Sequence, residues 1–148
     1  MNTSHRASAP LALSGSILAF LPIVAPVILG TVMLFVRSQF LFDWLMPGEL
    51  FLLELAAAIM LLTSALISKR RRAWIAWSAG IAIIALPLTQ LAATLTGLAH
   101  GDTEPGGWES TIVLIIYSIY VMALLVMIAG GIRLYADLRR DSSKREIS

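Results

Sequence analysis

A carboxylate inside an apolar run is the first residue of this chain whose surroundings imply chemistry. Glu54 lies in "ELFLLELAAAIM" (residues 49–60), among leucines and alanines. An ionisable group in such a run is costly, and it is a functional candidate by default. It can bind a proton or a cation, or it can pair with a base. At 1.5 Å per residue it lies about 8 Å deeper than Glu49. Five residues also carry it about 500° around a helix, so the two glutamates cannot share a face. Arg37 is the base available to pair with it. The structural alternative is a glutamate near a helix start that reaches the headgroups or meets Arg37.

Other polar side chains sit at similar depth. Gln90 and Thr94 are one helical turn apart and share a face. Thr89, Thr96 and His100 continue the polar character in the same direction. Tyr117, Ser118 and Tyr120 lie two to three turns in from Glu109. Convergence of Glu54, Arg37, Gln90, Thr94 and Tyr117 would make an intramembrane polar site. For Gln90 and the threonines, helix–helix packing is the favoured role, worth about 0.6 kcal/mol per contact.

Several chemistries are excluded by residue type. The chain has no cysteine. That removes disulfides, thiol relays and Cys-ligated metal centres. His5 and His100 both lie outside the apolar runs, so neither a bis-histidine haem nor a Ser–His–Asp set inside a span is available. No phosphate-binding loop, dinucleotide fingerprint or zinc-protease motif occurs. No catalytic residue, metal site or cofactor is expected.

The elements that must position these residues are membrane helices. Of 148 residues, 58% are hydrophobic and 14% charged, against roughly 45–50% and 25% in soluble domains. The excess is gathered into four runs, at about 13–36, 49–68, 73–98 and 110–134. Each is long enough to cross a bilayer, which takes about 20 apolar residues in a helix. Backbone groups in lipid must be satisfied internally, so each run is read as a helix. The first run exceeds the roughly 7–15 residues of a signal-peptide core and is read as a retained helix. The expected fold is all-α: an integral membrane four-helix bundle, residues 13–134, with a short segment 1–12 before it and a basic tail 135–148 after it.

Orientation follows from Lys and Arg, which are enriched on the cytoplasmic side. With the N-terminus inside, Arg6, Lys69, Arg70, Arg71, Arg72, Arg133, Arg139, Arg140, Lys144 and Arg145 all lie inside. Of the eleven basic residues only Arg37 falls outside. Both termini are therefore expected in the cytoplasm. The net charge of +2 is a balance of segregated charges. It implies no nucleic-acid surface.

The outer loops are then "DWLMPGE" (43–49) and "GDTEPGGWE" (101–109). Pro and Gly turn the chain, and the acids suit the positive ends of the outgoing helices. Trp44 and Trp108 suit the outer membrane surface, and Trp74 and Trp77 the inner one, beside "KRRR". The two hairpins 13–68 and 73–134 have the look of a weak parallel repeat.

Pro22, Pro26 and Gly30 recur every four residues, which predicts a kink or local unwinding near Pro22–Pro26. The third helix, with Pro87 alone, should deviate less. Ala85, Thr89, Ala93 and Gly97 form a small-residue row that permits close helix approach, and Gly130 and Gly131 a second such spot.

These features point first to a non-enzymatic accessory or assembly subunit. Its setting would be a bacterial inner membrane, and its partners other membrane subunits or copies of itself. The alternative is an oligomeric transporter or channel component with Glu54 as its ion- or proton-binding group. The tail anchors to anionic headgroups or meets a partner.

Overall fold

A computed structural model describes residues 3–37, 50–99 and 107–147. The described chain is helical apart from its turns. The helices are α1 Thr3–Arg37, α2 Leu50–Ser68, α3 Arg72–Leu95 and α4 Trp108–Ile147. Each contains a stretch long and apolar enough to cross a membrane. The protein is a four-helix bundle of the polytopic membrane type.

The helices pack around a ring. α1 lies against α2 and α4; α3 lies against α4 and, less extensively, α2. Across the centre α2 approaches α4 closely at few positions. Neighbours run antiparallel. The Ser64 hydroxyl, late in α2, donates to the Ser8 carbonyl, early in α1 (2.7 Å). Arg71, just before α3, bonds Asp137, late in α4. One end of the bundle, the terminal end, thus holds the start of α1, the end of α4 and the 69–71 turn. The far end holds the close of α1 and α3 and the start of α2 and α4.

Small residues set the spacing. The buried face of α2 reads Glu54, Ala57, Ala58, Leu61, Ser64, Ala65. α1 answers with Ser8, Ala12, Gly15, Ser16 and Ala19, all buried. A Cβ on Gly15 would meet the Leu61 Cγ at 3.0 Å and the Ala57 carbonyl at 3.3 Å. In lipid, packing replaces the hydrophobic effect as the force between helices, so close approach of this kind carries the association. Ala85, Thr89 and Ala93 face inward on α3 as their spacing predicts. Gly97 does not extend that row. The helix stops at Leu95, and Gly97, at φ 74°, turns the chain out of it.

Two boundaries differ from the sequence reading. α1 begins at Thr3, well before residue 13, because the Ser8–Ala12 stretch already fits against α2. α4 continues to Ile147, so most of the tail is helix. Its 40 residues span about 60 Å, roughly twice a hydrocarbon core. Nor is α1 unwound at its prolines. The helix runs unbroken past Pro22 and Pro26, both of which face the bundle interior.

The 69–71 turn shows a conflict between two demands. Lys69 and Arg71 both have left-handed backbones, φ 55° and 54°. Glycine is the usual solution there, since a Cβ is disfavoured in that region. The chain places cations there instead. Arg70 and Arg71 are tied back to α4 by ion pairs to Asp141 and Asp137, each 2.9 Å. Lys69 has no such pair among the described residues. Lys69→Gly is therefore expected to raise stability by roughly 0.5–1 kcal/mol, by releasing the left-handed strain. Thermal unfolding in micelles measures it. Asp137→Ala removes a partly exposed pair and should cost no more than about 1 kcal/mol.

Candidate functional site

Glu54 is on the inward stripe of α2 and is fully buried. The stripe recurs every three or four residues, so the glutamate occupies a position that leucine or alanine fills elsewhere on the helix. It therefore points into the bundle and not at lipid.

Its polar company comes from α4. The Tyr120 hydroxyl is the group that reaches the carboxylate. Helical side chains lean toward their own N-terminus. α2 and α4 both start at the far end, so Glu54 and Tyr120 lean the same way. That lean carries the Tyr120 phenol from its deeper starting point toward Glu54. Tyr120 is 2% exposed and among the largest buried side chains. Tyr117, partly buried, stacks beside it, ring centroids 5.8 Å apart and planes tilted by 37°.

The contact is loose. Neither carboxylate oxygen of Glu54 has a hydrogen bond of acceptable geometry within the described chain. The Tyr120 phenol is the neighbour placed to donate to it. A buried, unsatisfied carboxylate is rare in folded proteins and calls for a reason, such as a bound ion or a functional role. Burying a carboxylate with so few described donors carries a desolvation cost.

The remaining residues of the expected site separate. Thr94 is exposed, and its hydroxyl donates to the Gln90 carbonyl of its own helix at 2.8 Å. Gln90 is half-buried and makes no hydrogen bond to Glu54. Thr89 is fully buried but donates within α3, to the Ala85 carbonyl at 2.7 Å. The threonines thus satisfy themselves locally. The side chain of Arg37, together with Trp44, Glu49 and His100, lies outside the described residues. Trp74, Trp77 and Trp108 are all exposed on the outside of the bundle.

The described site therefore consists of one carboxyl and two phenols. Among the described residues no three His, Asp or Glu side chains gather to hold a metal. Such a set can hold and release one proton, or contribute oxygens to one cation. Depth in the sequence points to Tyr117 as the α4 member. Tyr120 is the residue that meets Glu54. The two are three residues apart and both plausible by depth. Only the rotation of α4 separates them.

Comparison with protein-family models, with curated proteins and with solved structures finds no match.

Proposed function

We infer that this protein is a multi-pass subunit of a bacterial inner membrane that binds a proton or small cation at Glu54. Both termini are cytoplasmic in this reading. The observation that carries it is the fully buried carboxylate, aimed into the bundle beside the Tyr120 phenol and short of further donors among the described residues. With Tyr120 as its donor among the described residues, the carboxylate keeps acceptor capacity to spare. An exchange site leaves capacity for what it binds.

Proteoliposomes test it. An imposed proton or Na⁺ gradient is expected to drive flux through the wild-type protein or its oligomer. Glu54→Gln should abolish that flux and Tyr120→Phe weaken it. Carboxyl infrared bands, compared between wild type and Glu54→Gln, should respond to a step in pH or cation. Bands indifferent to both, with no flux, would remove the reading.

A second reading is supported by the length of α4. The helix runs on beyond a bilayer's thickness and carries the charges of the tail as a rigid arm. Such an arm suits an accessory or assembly subunit that docks a larger membrane complex. Stable co-purification of partners, lost on truncation after Arg133, supports it.

The orientation has its own check. A reporter active only outside the cytoplasm should be silent after Ser148 and active within the 101–107 loop. The reverse pattern would overturn the topology.

A further inference from the structure

A long groove runs down the outside of the bundle between α3 and α4, with a volume of about 780 Å³. On α3 it is lined by Trp74, Trp77 and Ile81; on α4 by residues that include Ser118, Met122 and Val126. The lining is almost wholly apolar and the groove is open to one side. It lies apart from Glu54.

Three observations say what fills it. The first is the row of residues on α4. Positions 111, 115, 118, 122 and 126 recur at helical spacing, and the same row continues to Arg133. Arg133 sits over the Trp74 ring, guanidinium carbon 5.6 Å from the centroid. The apolar channel therefore ends at a cation.

The second is charge. Arg70 and Arg71, in the adjoining turn, are neutralised by Asp141 and Asp137. Arg133 has no carboxylate partner among the described residues. It is exposed, and it shares its level with Trp74 and Trp77, which suit a headgroup region.

The third is side-chain size. A helix that docks in a membrane uses small residues for close approach. The small residues that make close helix contacts here face inward, Ala85, Thr89 and Ala93 on α3 and Gly130 and Gly131 on α4, whereas the exposed Gly80 meets nothing. The groove is walled mostly by Trp, Ile, Leu and Met. That surface suits a flexible chain better than a second helix.

We propose that the α3–α4 groove is a binding site for one anionic phospholipid, with an acyl chain lying in the groove and its phosphate held by Arg133 beside Trp74. A basic residue at the membrane surface contributes about fivefold in affinity for an anionic lipid, the factor corresponding to about 1 kcal/mol.

The test uses full-length protein in neutral detergent, titrated with phosphatidylglycerol or phosphatidylcholine. Bound lipid is counted by native mass spectrometry. Phosphatidylglycerol is expected to bind about fivefold more tightly. Arg133→Glu should abolish the preference. Arg139→Glu makes the same change in net charge on another face of α4, and it should leave the preference intact. Ser118→Trp, which fills the groove, should reduce retention of both lipids. Helicity by circular dichroism and the preserved Arg139→Glu behaviour separate loss of the site from loss of the fold. Equal binding of the two lipids overturns the proposal, as does a preference that survives Arg133→Glu. So does a disulfide-linked dimer formed readily by Ser118→Cys, which would assign the groove to a second copy.

Discussion

Glu54→Met is expected to stabilise the bundle while removing its ion site. The glutamate occupies an inward position on α2, and among the described residues only the Tyr120 phenol is placed to donate to it. Methionine has similar length and a flexible, apolar side chain that fills irregular space. It removes the desolvation cost of an unpaired polar group, roughly 1–3 kcal/mol. Replacement of buried ionic groups by well-packed apolar ones has this sign in other settings. A rise in the unfolding midpoint of the micellar protein, with loss of any gradient-driven flux, is the expected pair of results. Glu54→Gln should lose flux with little change in stability, since it keeps a polar group of the same shape. Glu54→Lys should be the worst of the series: it buries an ammonium with no described carboxylate nearby, and the folded yield should fall sharply. A Glu54→Met protein markedly less stable than wild type would mean that the carboxylate is bonded to something in the membrane, and the exchange-site reading would fail with it.

The second large effect is expected at Gly131. Gly130 and Gly131 stand side by side on α4 and face different neighbours. A Cβ on Gly130 would come within 3.2 Å of Ile75 on α3. A Cβ on Gly131 would clash with the Ser16 hydroxyl on α1 and come within 2.6 Å of Leu61 Cδ2 on α2. Ser16 cannot yield freely, because its hydroxyl is bonded to the Ala12 carbonyl at 2.7 Å in a buried position. Three helices therefore meet at one glycine. Gly131→Ala should destabilise by roughly 1–3 kcal/mol, the usual cost of overpacking. This outweighs the gain of about 1 kcal/mol in helix propensity from glycine to alanine. Gly131→Leu should prevent α4 from seating at all. Gly80→Ala is the matched control. Nothing lies within 4 Å of its Cβ position, so only the propensity gain remains. Tryptophan fluorescence during SDS titration can rank the three variants. Equal stability of Gly131→Ala and Gly80→Ala would show that α4 does not approach α1 and α2 this closely.

The positions of the helices were largely legible without coordinates. Apolar run length and the need to satisfy every backbone group in lipid leave few choices. Those rules placed the second and third helices within a few residues. They failed at the ends of the first and last. Composition marks where lipid ends, and a helix can continue past that point. α1 extends into Ser8–Ala12 because α2 offers a small-residue face there. α4 extends through 135–147 although its residues are charged.

The polar site was half legible. A carboxylate in an apolar run stands out by residue type alone, and the structure buries it. Depth could not decide rotation. Tyr117 and Tyr120 are three residues apart, and helical geometry turns them about 60° from each other. Which one meets Glu54 depends on how α4 is seated, and that seating depends on Gly130 and Gly131 meeting α3 on one side and α1 and α2 on the other. Thr94 shows the same limit. Its hydroxyl is satisfied by its own helix, a bond available to any helical threonine, so its type carried no information about its direction. What the residues determined by themselves is the number of spans, the segregation of charge and the presence of one buried acid. Which tyrosine faces that acid was decided by the tertiary structure, because in a membrane packing contacts set the rotation of each helix.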